Sequence, residues 1–157
     1  MSERPDVGDP LPEIALAGAN GEPLDLSAFR GRPLVLFFYP KDDTAGCTTE
    51  NQDFSRLAGE FDAQGVALLG VSKDSPARHA RFVAKHGLKA RLASDAEAGG
   101  LAEALGIWVE KVLYGRRYWG LERTTYLVDA EGRIARVWRK VKVKGHADDV
   151  LAAARAM

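Results

Sequence analysis

A chain of 157 residues is long enough to fold as one domain, expected over 1–157, around a real core, and its 46% hydrophobic and 28% charged residues are ordinary for a globular protein. The 22 basic and 22 acidic side chains cancel, so no global field draws the chain to nucleic acid or to an anionic membrane. A single cysteine excludes an internal disulfide, and no apolar stretch approaches the roughly 20 residues that span a bilayer.

The first residues, MSERPDVGDPLPEIAL, carry proline and acids where a secretory leader needs a basic stretch and then an apolar one, so a cytoplasmic setting is expected. IALAGANGEPLDLSAF then reads as a β-hairpin around Asn20-Gly21, a dipeptide that accepts positive φ in tight turns. Residues 33–39, PLVLFFY, form a continuous apolar run, the sign of a central strand covered on both faces. From 45 to 64 the apolar residues Phe54, Leu57, Ala58 and Phe61 fall at helical spacing, with Gly65 as the stop. VALLGVS, 66–72, is a second buried strand. A helix over 75–87 follows, opened by Ser75-Pro76 and closed by Gly87. Another helix is expected over 96–105. Residues 124–141 read as two strands joined through 129–132, and a last helix fills 147–156.

Strands alternating with helices imply a parallel centre, and the late hairpin adds an antiparallel edge. The order resembles an α/β thioredoxin-like plan with a mixed sheet, an N-terminal β-hairpin extension and an inserted helix. A dithiol reductase on that plan would carry Cys-x-x-Cys at the start of its first helix. This chain has Cys47 alone there.

The address of Cys47 bears on its chemistry. Unpaired backbone N–H groups and the helix dipole at a helix start favour thiolate, the reactive form of the side chain. Thr44 is expected to cap the helix by accepting from the Cys47 N–H, and its hydroxyl puts a donor near the sulfur. Pro40 ends the strand, donates no backbone bond and stiffens the turn. Glu50 lies one turn beyond Cys47 on the same helical face, placed to orient a cation brought to the site. A free cysteine is often only a small buried hydrophobe. A strand-to-helix junction at the C-terminal edge of a parallel sheet is instead where α/β folds place their sites.

Pro40-Lys41-Asp42-Asp43-Thr44-Ala45-Gly46-Cys47 resembles the Pro-x-x-x-Thr-x-x-Cys signature of the peroxiredoxins. The wider FFYPKDDTAGCTTE, with YGRRYWGLERTTYLVDAEGRI and RKVKVKGHADDVL, is similar to the bacterioferritin-comigratory, or peroxiredoxin Q, subfamily over nearly the whole chain. The resemblance implies reduction of hydrogen peroxide or alkyl hydroperoxides, with Cys47 as the peroxidatic thiolate that becomes a sulfenic acid. It implies that Thr44 hydrogen-bonds thiolate and peroxide, that Pro40 shields the site from water, and that Arg123, in GLERTT, stabilises thiolate and leaving oxygen. No cofactor or metal is implied. Relatives often carry a resolving cysteine five residues after the first, where this chain has Gln52; others place one in a later helix, and 96–105 has none. The resemblance therefore implies a one-cysteine enzyme that needs an external thiol such as thioredoxin, glutaredoxin or glutathione, as a monomer or weak homodimer.

Two other readings share the residues. A peroxide sensor or holdase would pass the oxidation of Cys47 to a partner protein. A cysteine hydrolase would need a histidine base near the thiol, and His79, His86 and His146, expected on the surface, lie far along the chain without metal-ligand spacing. RVWRKVKVK, 136–144, suits an edge strand protected by lysines better than a nucleic-acid site. Tyr118 and Trp119 are expected in the core rather than at a pocket mouth. Gly99-Gly100 lacks the spacing of a phosphate loop.

Overall fold

The computed structural model describes residues 4–96 and 99–157. The chain opens with a small antiparallel pair, β1 (Leu16–Gly18) and β2 (Pro23–Leu24), turning at Asn20-Gly21 as expected, with Gly21 at φ 83°. A 3₁₀ turn, Leu26–Phe29, leads into β3 (Leu34–Phe38), then α1 (Ala45–Arg56) and α2 (Ala58–Ala63). Next come β4 (Ala67–Ser72), α3 (Pro76–His86), β5 (Arg91–Ser94) and α4 (Leu101–Ala104). A separate hairpin, β6 (Trp108–Leu113) and β7 (Arg116–Leu121), precedes β8 (Thr124–Val128), β9 (Ile134–Trp138) and α5 (His146–Arg155).

The main sheet runs β2-β1-β5-β4-β3-β8-β9. Its centre, β5-β4-β3, is parallel, while β8 joins β3 antiparallel and β1 joins β5 antiparallel. This is the expected mixed α/β sheet of a thioredoxin-like fold.

Strand alternation explains why β3 is apolar throughout. Leu34, Leu36 and Phe38 face one core with α4, while Val35, Phe37 and Tyr39 face the other with α1, α2, α3 and α5. Phe37 stacks on Phe54 of α1 with ring centroids 4.3 Å apart, which ties that helix to the sheet. Gly70 of β4 makes room for the ring, because a Cβ there would lie 2.6 Å from Phe37 Cζ.

The third helix runs as its punctuation predicts: Ser75 Oγ accepts from the Arg78 N–H, Pro76 is its first residue, and Gly87 closes it at φ 60°. Elsewhere the expected boundaries fail. The helix expected over 45–64 breaks at Leu57, whose φ of −93° and ψ of 0° leave the helical region. Buried Phe54, Leu57 and Phe61 continue one stripe across the break, so periodicity does not register it. The helix expected over 96–105 shortens to α4, and 97 and 98 lie outside the described residues. The strand expected to extend to 141 stops at Trp138, so Lys140, Lys142 and Lys144 lie in a loop beyond the edge strand and do not guard it. Among the described residues, no helix is long and apolar enough to cross a membrane.

Candidate active site

Buried strand β3 delivers the chain to Tyr39, whose N–H donates to Val71 O at 3.1 Å. Half-buried Pro40 follows, and a short loop carries the chain to Thr44, the N-cap residue of α1, in extended conformation (φ −92°, ψ 156°). Cys47 is the third residue of α1, at the C-terminal edge of the parallel strands, and only 1% exposed.

Arg123 sits between β7 and β8, where Val141 N–H donates to its carbonyl at 3.0 Å. The two arms of its guanidinium have different tasks. Nη2 donates to Cys47 Sγ at 3.4 Å, and Nη1 donates to Glu50 Oε1 at 2.6 Å. Glu50 is one helical turn beyond the cysteine, so residues 76 positions apart in sequence form a cysteine–arginine–glutamate row. Gly46 permits this approach, since a Cβ there would stand 3.3 Å from Arg123 Nη2.

Burial sets the electrostatics. It pushes the Glu50 carboxyl up to about 7 although Arg123 opposes the shift. The glutamate's second oxygen, Oε2, is buried with no hydrogen-bond partner among the described residues. For Arg123, burial disfavours the cation, but the Glu50 carboxylate and the Cys47 sulfur outweigh it and hold the guanidinium above its ordinary value. Lys111 of β6 is lowered, first by burial and then by Arg123, while the Cys47 sulfur pulls the other way. Its ammonium donates to Leu121 O at 2.5 Å. This second cation in the field of the sulfur comes from the β6–β7 hairpin, which the sequence reading missed. The turn Tyr114-Gly115, both at positive φ (51° and 78°), was the available signal.

Thr44 departs from expectation. It makes no capping hydrogen bond; its hydroxyl instead donates to Lys41 O at 2.8 Å. With its proton committed there, the oxygen offers lone pairs to an incoming O–H group and no donor to the sulfur. Gln52 is exposed on α1, and Cys47 remains a free thiol.

The histidines correct a second expectation. His79 is 0% exposed and His146 5%, while His86 is half-buried. Each has a partner: His79 meets Asp42, His86 meets Asp43, and His146 meets the Thr125 hydroxyl at 2.8 Å. Burial lowers His146 to about 4, so it is neutral. The polar contact at the sulfur is an arginine, which cannot act as a hydrolase base. Tyr118 and Trp119, expected inside, are 46% and 59% exposed on β7, because the hairpin stands outside the main sheet.

The AhpC/TSA family model matches residues 7–137. A peroxiredoxin Bcp of Xanthomonas campestris is 46% identical over 144 residues, covering 92% of this chain and 89% of the relative, and the Bacillus subtilis peroxiredoxin Bcp is 44% identical, covering 93% and 92%. This chain is a peroxiredoxin of the bacterioferritin-comigratory, or peroxiredoxin Q, type. Its fold agrees with solved members: a serine-substituted peroxiredoxin Q of Xylella fastidiosa superposes with a TM-score of 0.91 at 37% identity, covering 99% of this chain and 98% of that one. The bacterioferritin comigratory protein of Xanthomonas campestris, solved as trapped intermediate and ligand complexes to study its alkyl peroxide reduction, gives 0.86 at 44% identity, covering 94% and 98%. This peroxiredoxin is thus a thiol peroxidase, and its one cysteine fits a one-cysteine cycle.

Proposed function

We propose that Cys47 is the peroxidatic thiolate of a one-cysteine cycle whose sulfenic acid is resolved by a thiol from outside the chain. The observation that carries this reading is the Arg123 Nη2 donor 3.4 Å from the only cysteine sulfur. The thiolate attacks one peroxide oxygen, forming an S–O bond as the O–O bond breaks. Two electrons pass from sulfur to the departing oxygen, which takes up a proton and leaves as water or an alcohol. Arg123 holds negative charge on the sulfur and then on the departing oxygen, and Glu50 keeps its planar fork in place. Thr44 accepts from the peroxide O–H, and Pro40 limits water at the loop. The alkyl peroxide reduction studied in the Xanthomonas relative supports organic hydroperoxides as substrates beside hydrogen peroxide.

An external thiolate then attacks the sulfenic sulfur and expels hydroxide, which takes up a proton and leaves as water, and a second thiol frees Cys47 from the mixed disulfide. A sulfur only 1% exposed admits a small thiol more readily than the active site of a folded protein. The deciding experiment is intact-mass spectrometry with peroxide consumption, on wild type and Cys47→Ser. Without thiol, wild type should halt after about one equivalent with one oxygen gained, and take up a second oxygen only at modest excess of peroxide. With glutathione it should form an adduct and turn over many times, whereas a sensor would stop. Turnover by Cys47→Ser, or complete disulfide-linked dimer without added thiol, would refute the cycle.

A further inference from the structure

The β6–β7 hairpin stands outside the main sheet and ends in a tip that the peroxidase chemistry leaves unused. Among the described residues, five of the seven well-exposed large apolar side chains lie on it: Val112, Leu113, Tyr114, Tyr118 and Trp119. Such a concentration marks a surface that meets something else. Folding alone does not ask for it. Tyr114 is 97% exposed at φ 51°, in a two-residue turn with Gly115 where asparagine would sit with less strain.

Shape and charge say what covers the tip. Residues directly opposite across the hairpin share a face: Val112 pairs with Arg117 and Glu110 with Trp119 on one side, Leu113 with Arg116 and Lys111 with Tyr118 on the other. Each face thus carries an aliphatic side chain near the turn, an arginine beside it and an aromatic ring farther back. A folded protein partner covers one face of such a ribbon, whereas the headgroup layer of a membrane surrounds an inserted tip on both. At about 3.4 Å per residue, Val112 and Leu113 lie about 5–9 Å from the end of the turn, and the two rings about 12–15 Å from it. A segment sinking about 5–10 Å into the boundary of headgroups and acyl chains buries the aliphatic pair and leaves the rings at headgroup level, where tyrosine and tryptophan are favoured. Over 108–121 the hairpin holds Lys111, Arg116 and Arg117 against Glu110 alone, so it is locally basic in a chain whose charges cancel. Arg117 Nη1 lies 3.2 Å from Glu110 Oε1, which leaves Arg116 and Lys111 to set the sign. Two copies meeting tip to tip would bring like charges together, while anionic headgroups complement them.

We propose that the tip of the β6–β7 hairpin is a docking site for an anionic lipid surface: Val112, Leu113 and Tyr114 insert, and Arg116 and Arg117 meet the headgroups. Lys111, farther up β6, lies in the field of the Cys47 sulfur, so docking brings the thiol near the membrane. The use of that nearness rests on Cys47 being the peroxidatic thiol; the docking itself does not. The test is co-sedimentation of the full-length reduced protein with vesicles of phosphatidylcholine alone and of an equimolar mixture with phosphatidylglycerol. The protein should bind the mixed vesicles, bind phosphatidylcholine only weakly and be released by high salt. Its tryptophan emission should move to the blue on binding, and Trp119→Ser should lose most of that shift. Tyr114→Asn should weaken binding about tenfold while holding or raising the unfolding midpoint, a pairing that a merely structural role does not give. Arg116→Gln should weaken it about fivefold. Cys47→Ser should bind as wild type does, so the peroxidase reading and the docking fail separately. No binding to mixed vesicles, or binding that Tyr114→Asn and Trp119→Ser leave unchanged, refutes the proposal. So does a dimer in sedimentation velocity that Tyr114→Asn dissolves without any vesicle binding, which would assign the tip to a second copy. Should Tyr114→Asn fail to fold, Val112→Ser and Arg116→Gln decide by the same readouts: weaker vesicle binding supports docking, and unchanged binding refutes it.

Discussion

Replacing Glu50 with glutamine should make this peroxiredoxin more stable and less active. The glutamate is 1% exposed, bonds Arg123 through one oxygen and leaves the other buried without a hydrogen-bond partner among the described residues. Burial therefore raises its carboxyl from 4.5 to about 7 against the pull of Arg123. The folded-state value lies above the unfolded one, so the stability linked to its proton is complete below the unfolded value and is lost as pH rises through about 7. At 1.36 kcal/mol per pKa unit, ionising this buried group costs the fold about 3 kcal/mol at alkaline pH. Glutamine keeps the shape without the charge. The Glu50→Gln variant should match wild type near about pH 4.5 and exceed it by about 3 kcal/mol near about pH 8. Urea unfolding of both proteins at the two pH values, with the thiol kept reduced, measures this directly. The peroxide rate should meanwhile fall about tenfold, since Arg123 loses the charged partner that holds its fork. Equal stability differences at both pH values, or a less stable variant at the higher one, would refute the reasoning.

Arg123→Met should slow peroxide attack by about 10²–10³-fold, as expected for loss of one preorganised donor to a developing oxyanion. Arg123→Lys should recover only part of this, because a lysine keeps the charge and cannot serve Cys47 and Glu50 through one rigid fork; full recovery in stopped-flow peroxide kinetics would contradict the two-armed geometry. Thr44→Val removes both the bond to Lys41 O and the acceptor proposed for the peroxide O–H, and should slow the same step by about ten- to a hundredfold, or roughly 1.4–2.7 kcal/mol, with little change in unfolding midpoint. An unchanged rate would take Thr44 out of the reaction.

The sequence by itself determined a good deal here. The run through β3 named a strand covered on both faces, the Ser75-Pro76 and Gly87 punctuation fitted α3, and the signature ending in Cys47 placed a thiol at a helix start. Each of these is a local property: period, cap or turn chemistry acts within a few residues. The i to i+3 spacing also put Glu50 on the face of α1 that turns toward the sulfur's partner. What local rules could not reach was whatever depends on contacts distant in sequence. The Tyr114-Gly115 hairpin, with Lys111 in the field of the sulfur, lacks clean alternation because both its faces are largely exposed. Thr44 looked like a helix cap, but its hydroxyl found Lys41 O, whose peptide is held by Asp74 from a different strand end. His79 and His146 looked like surface residues because histidine is polar, and nothing near them in the chain announces Asp42 or Thr125. Arg123 reaches Cys47 only because β8 runs antiparallel beside β3, so strand pairing, across a separation of 76 positions in sequence, decided how the site was built.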